Sequence, residues 1–124
     1  MKLFTNEIDK QLFAQYHLGG DLEKQNVVAK IFNPYGRGTW YILNSDPEDP
    51  DYLWAIVDLF EVEIGSVSRS ELENITIHGN HLERDMFYVP QNAAQVYQSL
   101  LNGEKFAGGG NIKMIPEGQE YRYK

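Results

Sequence analysis

The sequence predicts an α+β fold in which an antiparallel sheet of four to five strands carries helices packed on one face. The predicted elements follow the order α-β-β-β-β-α-(β)-α, and the links between successive strands are too short for parallel crossovers. The chain has 124 residues, 42% of them hydrophobic, which suits one globular core. We therefore expect a single domain over residues 1–105 and a Gly-containing, loosely held C-terminal tail over residues 106–124.

The first half of the chain alternates structured segments with strong turn signals. Thr5 is a favourable N-cap for a first helix, which Gly19-Gly20 would end. A strand over residues 27–32 stops at Asn33-Pro34, and residues 39–43 form a second strand rich in β-branched and aromatic side chains. A Pro-bounded acidic loop then leads to an apolar strand over residues 52–57, which is expected to be covered on both faces.

The second half continues with one more strand and two capped helices. Phe60, Val62 and Ile64 alternate with Glu61 and Glu63, which predicts a strand with one apolar and one solvent face. Ser68 and Glu71 have the spacing of a capping box, and Asn92 is a favourable N-cap for the last helix. The buried side of that last helix is expected to consist of Val96, Tyr97, Leu100 and Leu101.

Negative charge is concentrated in one window of the chain. Between Gly38 and Ser68 there is no lysine or arginine, whereas the remaining residues have balanced charges, so this window accounts for the net charge of −7. The acids of the window are Asp46, Glu48, Asp49, Asp51, Asp58, Glu61 and Glu63. Direct binding of nucleic acid requires a basic surface, so we do not expect it. Acidic surfaces also serve solubility, which is the simplest alternative explanation.

Several motifs give the sequence a family resemblance over residues 3–89. These are the Asn-Pro turn before Thr39-Trp40-Tyr41, the Asp-Pro-Glu-Asp turn at 46–49, the Phe60–Gly65 strand, the Ser-x-x-Glu-Leu-Glu helix start at Ser68, and Glu83-Arg84-Asp85. Together they resemble the bacterial family named domain of unknown function 2958. The resemblance implies a small protein of plasmids, phages and integrative elements, and it brings no residue roles with it. The sequence departs from the family pattern at Asp58-Leu59-Phe60, where a glycine often follows the aspartate.

Two groups of residues have side chains that could bind a metal ion. A calcium-binding EF-hand loop starting at Asp46 would need glycine and an acid where the chain has Asp51 and Val57, so that motif is excluded. His78 and His81 flank Gly79-Asn80, and their imidazoles could share zinc or another divalent metal with Asp85 or Glu83. Further ligands could come from His17 or from Glu61 and Glu63. A polar surface loop is the simpler interpretation of these histidines.

Catalytic patterns are weak or missing in the sequence. Asp58, Glu61 and Glu63 resemble half of a metal-dependent nuclease centre, but the window lacks a lysine and the chain lacks a basic docking surface. The sequence contains no nucleophile elbow, no Walker motif and no dinucleotide-binding glycine pattern. Arg84 is interpreted as an ion-pair residue that would grip a carboxylate and hold its loop to the sheet.

These observations favour a non-enzymatic binding protein whose acidic window faces a basic partner. The partner class that fits is a host effector that grips nucleic acid, so we expect an inhibitor of the anti-CRISPR or anti-restriction type. The alternative is a small zinc-type or metal-dependent protein centred on His78 and His81. The chain has no cysteine, no apolar signal core and no stretch long enough for a membrane span, so a cytoplasmic location is expected.

Overall fold

The computed structural model of the protein describes residues 1–103 and the short segments 105–106 and 114–115. The predicted tail over residues 106–124 lies outside the described residues except at positions 106, 114 and 115. At those positions, strand Lys105–Phe106 pairs antiparallel with strand Met114–Ile115.

The described part of the chain contains three α-helices, two 3-10 turns and eleven strands. The helices are α1 (Asn6–Ala14), α2 (Arg69–Asn74) and α3 (Ala93–Leu101), and 3-10 turns occupy Tyr16–Leu18 and Leu22–Lys24. The strands up to the central meander are β1 (Asn26–Val27), β2 (Ala29–Phe32), β3 (Thr39–Asp46), β4 (Asp49–Asp58) and β5 (Val62–Ser68). The remaining strands have two residues each: β6 (Thr76–Ile77), β7 (Asn80–His81), β8 (Glu83–Arg84), β9 (Gln91–Asn92), β10 (Lys105–Phe106) and β11 (Met114–Ile115).

All three helix starts were predicted at the correct residue. Thr5 Oγ1 accepts a hydrogen bond from the Ile8 N–H at 3.2 Å, and Ser68 Oγ accepts one from the Glu71 N–H at 3.2 Å. Asn92 Oδ1 likewise accepts a hydrogen bond from Gln95 N–H at 3.2 Å. Each cap satisfies an N–H group that has no partner within its helix, which explains why short polar side chains mark these positions in the sequence.

The main sheet confirms the predicted α+β class and its antiparallel, five-stranded form. Its strand order is β5-β4-β3-β2-β8, and every neighbouring pair is antiparallel. The two central strands, β3 and β4, form a hairpin in which Asp46 and Asp49 are paired across the turn residues Pro47-Glu48. The acidic segment that the sequence placed in a loop is therefore the tip of a long hairpin.

Helices cover both faces of the sheet, which corrects the prediction that they pack on one face. Along β3, Trp40 and Ile42 join a cluster with Leu12 of α1 and Leu72 of α2. The alternate residues Tyr41 and Leu43 join a second cluster with α3 residues, including Val96 and Leu100. Because β3 is buried on both sides over almost its whole length, a one-sided arrangement would have left half of its apolar side chains in water.

Three further local predictions are corrected by the structure. Phe60 is 82% exposed, because it lies in the turn before β5 begins at Val62. Leu101 is 50% exposed, because it ends α3 on the side away from the cluster that holds Leu100. Arg84 pairs with no carboxylate among the described residues; its Nη1 donates to the backbone carbonyls of Lys2 and Leu3 and so holds residues 2 and 3.

Candidate functional site: the acidic hairpin tip

Four of the acids predicted to bind a partner lie together at the β3–β4 turn. We call this set, Asp46, Glu48, Asp49 and Asp51, the acidic tip. Glu48, Asp49 and Asp51 are exposed and Asp46 is half-buried, and none of the four forms an ion pair with a described lysine or arginine. The tip therefore presents uncompensated negative charge to solvent at the end of the two central strands.

Two of the four carboxylates also serve the structure of the tip. Asp46 Oδ1 accepts a hydrogen bond from the Glu48 N–H at 2.8 Å, which closes the turn. Asp51 accepts bonds of 2.8 Å from both the Ser70 N–H and the Ser68 hydroxyl, and so ties the hairpin to the start of α2. These bonds to Ser70 and Ser68 lower the pKa of Asp51, because they favour its charged form. The side chains of the other two acids, Glu48 and Asp49, form no hydrogen bond or ion pair with a described residue.

An aromatic row flanks the acidic tip. The rings of Tyr16 and Tyr52 meet edge to face with centroids 6.2 Å apart, and Tyr52 stacks on Trp54 at 6.4 Å. Hydrogen bonding with the Asp46 carboxylate, and then its negative charge, raise the pKa of Tyr16, whose ring is 39% exposed. Carboxylates beside partly exposed tyrosines are a combination that suits protein binding, because tyrosine is enriched at interfaces.

Arg69, the first residue of α2, anchors the base of the tip. Its Nε donates to the Pro50 carbonyl at 2.7 Å, and its Nη1 pairs with the Asp9 carboxylate of α1 at 2.8 Å. The guanidinium also lies 4.4 Å from the centre of the Phe4 ring. Sequence reasoning did not identify this role, although Arg69 is the first base after the acidic window, and that position was the available signal.

The remaining three predicted partner-binding acids lie at the opposite end of β4. Asp58 ends that strand, and Glu63 pairs with Val57 at the start of β5. A ten-residue strand is about 30 Å long, so Asp58, Glu61 and Glu63 are separated from the acidic tip by about that distance. Asp58 is only 7% exposed, whereas Glu61 and Glu63 are exposed. The acidic window of the sequence therefore forms two separate groups in the structure, not one ribbon.

The structure does not bring the candidate metal ligands His78, His81 and Asp85 together in one site. His78 and His81 are both exposed at the β6–β7 turn, where His78 adopts φ 52° next to Gly79. Asp85 instead accepts a hydrogen bond from the Phe87 N–H at 2.9 Å, while its own N–H donates to the Lys30 carbonyl on β2. Among the described residues, no three histidine, aspartate or glutamate side chains are grouped so that they could hold an ion.

A buried polar set on the α3 side of the sheet was not foreseen. Lys30 is 2% exposed, and its strand partner Tyr41 is 1% exposed. Thr39, two residues from Tyr41, pairs with Asp58, so the buried Asp58 lies on the same face. The alternation of side chains along β2 does not by itself predict that Lys30 is buried. The only sequence signal was a lysine within the apolar run Val27–Phe32.

Comparison with known proteins gives a family but no relative of known activity. Neither the curated proteins nor the solved structures contain a significant match to the chain. No helix in the described part of the chain combines the length and the apolar character that crossing a bilayer requires. The profile of the family described as protein of unknown function (DUF2958) matches residues 3–104, including all of the main sheet and all three helices. The chain therefore belongs to the DUF2958 family.

Proposed function

We propose that the protein is a non-enzymatic binding protein whose acidic tip engages a basic surface of a nucleic-acid-targeting effector. Its action would be inhibitory, of the anti-CRISPR or anti-restriction type. The observation that carries this proposal is the position of Glu48 and Asp49, exposed and without an ion pair to any described base, on a turn held in a fixed conformation.

The rigid base of the tip supports this function energetically. Binding is weakened by the entropy lost when flexible side chains and loops become ordered. Here the turn is closed by the Asp46–Glu48 bond, while Arg69 and the serines of α2 hold the strand that follows it. The carboxylates are thus presented at little ordering cost to a partner that carries complementary charge.

The partner class follows from the sign of the charge and from the aromatic row. Proteins that grip nucleic acid line their grooves with lysine and arginine, and those side chains attract carboxylates as they attract phosphates. Arginine also stacks on tyrosine and tryptophan rings, which the row of Tyr16, Tyr52 and Trp54 supplies beside the tip. Competition for the nucleic-acid groove is the mode of inhibition that this chemistry favours.

The test is protection of an effector's target in cells. Bacteria with an active CRISPR or restriction system are challenged with a target plasmid while they express the wild type or Glu48→Lys/Asp49→Lys. A matched control, Glu23→Lys/Glu73→Lys, makes the same change in net charge at exposed positions away from the tip. Asp46 and Asp51 are left unchanged, because their hydrogen bonds hold the hairpin.

We expect the wild type and the matched control to protect the plasmid and the tip variant to fail. With purified proteins at low salt, the tip variant should associate with the effector about 10- to 1,000-fold more slowly than the wild type does. This difference in association rate should become smaller as the salt concentration rises. Equal protection by both variants would remove the tip as the binding surface. Failure of the wild type against a broad panel of effectors would overturn the proposed function.

A further inference from the structure

We infer that edge strand β5 and the groove beside it dock an extended segment of a partner protein that carries an apolar side chain and, four residues away, a basic side chain on the same face. The surface is centred on Val67 and Glu63 and does not include Glu48 or Asp49, so the inference stands independently of the proposed function. Three features of the described residues support it: an unpaired strand edge, an apolar groove along that edge, and acids further along the same face.

The first feature is the free edge of β5. Among the described residues, β5 pairs only with β4, and it is the terminal strand of the main sheet. It spans Val62–Ser68, which is long enough for several ladder hydrogen bonds. An edge strand directs alternate N–H and C=O groups outward, and an extended peptide can pair with them as an added strand.

The second feature is a groove of about 420 Å³ between β5 and α2. Its apolar lining comes from Trp40, Val67, Leu72 and Ile75, with Glu71 among its polar residues. Next to it along the strand, a methyl group added at Gly65 would meet no atom within 4 Å, so the space above β5 stays open there. A side chain from an added strand therefore has both an apolar floor and room to enter.

The third feature is the charge that follows the groove along the same face of β5. Glu63, Gly65 and Val67 alternate with their neighbours, so their side-chain positions share one face. Glu63 pairs with Val57, which packs against the same cluster as Trp40 and Leu72, so this is the groove's face. Val67 and Glu63 are four residues apart, or about 13 Å along the strand.

The occupant is defined by this pattern of groove and charge. A segment that pairs with β5 should place an apolar side chain in the groove and, four positions away, a lysine or arginine opposite Glu63. Glu61 extends the negative charge beyond Glu63. Arg69 is already paired with Asp9 and bonded to Pro50. Arg37 Nε donates to the Leu59 carbonyl near Glu61, and Arg37 forms no ion pair with a described acid.

The test uses designed nine-residue peptides with the full-length protein. One peptide carries an isoleucine and, four residues away, a lysine among threonines, a second replaces the lysine by glutamate, and a third carries the first sequence with alternate backbone amides methylated. Binding is followed by titration, and its location by protection of the β5 amides from hydrogen exchange. The variant Glu63→Lys is compared with Glu48→Lys, which makes the same charge change on the acidic tip.

The isoleucine–lysine peptide should protect β5 amides, and the glutamate and methylated peptides should bind at least about tenfold more weakly. Glu63→Lys should weaken binding by about tenfold and Glu48→Lys by much less, with unchanged thermal unfolding showing that both variants fold. Equal losses in both variants, protection outside β5, or no binding would overturn the inference. Self-association through β5 in the absence of peptide would overturn it in favour of a second copy of this chain.

Discussion

The two ends of the β3–β4 hairpin differ in how far their residues are exposed to solvent. At the tip, Asp46 and Asp49 face each other across a two-residue turn, and most of the acids lie in water. At the far end, Thr39 pairs with Asp58, and both are buried. The same two strands thus end in a charged, exposed turn on one side and in packed core on the other.

This difference shows that a run of acids in sequence does not define one surface. The acidic window of the sequence follows β4 from one end to the other, so folding separates its members by about 30 Å. Glu48 and Asp49 of the tip can change with little effect on the fold, whereas Gly38 at the far end is constrained by neighbouring atoms. Substitutions at both ends, and at the bonds that hold the tip, test this contrast.

The largest effect is expected at the far end, from Gly38→Ala. Gly38 has φ 126°, and an added methyl group would lie 2.9 Å from Trp40 Cη2 and 3.3 Å from a Leu59 methyl. Backbone strain and overpacking together should lower the free energy of unfolding by about 3 kcal/mol. Urea unfolding measures this loss. The control is Gly65→Ala, where the space is open, and its stability should stay within about 0.5 kcal/mol.

The next effect concerns the anchor of the tip. Arg69→Ala removes the ion pair with Asp9 and the bond to Pro50, and we expect a loss of about 2 kcal/mol in the free energy of unfolding. A double-mutant cycle with Asp9→Ala isolates the pair, and its coupling energy should be about 1 kcal/mol. Additive losses in the double variant would show that Asp9 and Arg69 do not stabilise the fold through each other.

A smaller effect is expected in how the melting temperature depends on pH under acidic conditions. The pKa of Asp51 is lowered in the folded state from its ordinary value of 3.8, so its contribution is full above that value and is lost as pH falls through the lower folded pKa. Asp51→Asn should therefore reduce the melting temperature at pH 7 and flatten its decline below pH 4. Thermal unfolding of both proteins from pH 7 to pH 2 checks this; parallel profiles would contradict it.

The smallest effect on stability is expected from Glu48→Lys/Asp49→Lys. Both side chains are exposed, and neither accepts a hydrogen bond from a described residue, so the free energy of unfolding should change by less than about 0.5 kcal/mol per substitution. Urea unfolding beside the wild type provides the measurement. A loss as large as that of Arg69→Ala would mean that the charges of the tip stabilise the hairpin and are not free for a partner.

Local signals in the sequence were sufficient for most of the fold. Thr5, Ser68 and Asn92 marked the helix starts because capping depends on residues only three positions away. The strands of the meander were found because apolar and β-branched residues dominate β2 to β4 and alternate with glutamates at the start of β5. The acids of the tip were also found, since charge and proline are visible in any sequence.

The features that sequence reasoning missed depend on contacts between distant residues. The pairing of β3 with β4 shifts register between Ile42 and Asn44 and again between Ser45 and Asp46. The sequence of β3 itself contains no signal that predicts these register shifts. Arg69 reaches Asp9 across 60 residues, and Arg84 reaches the start of the chain, so no local pattern predicts either contact.

The attachment of β8 has a consequence for the order in which the molecule assembles. The strands β2 to β5 pair with their neighbours in sequence, whereas β8 is far from β2 in sequence. It pairs with β2 at Ile31 and Phe32, and the Asp85 N–H that follows it donates to the Lys30 carbonyl. Because closing a long loop costs more entropy than closing a hairpin, the meander should form early in folding. The hydrogen bonds from Arg84 to the carbonyls of Lys2 and Leu3 should form late in folding, because they join chain segments that are about 80 residues apart.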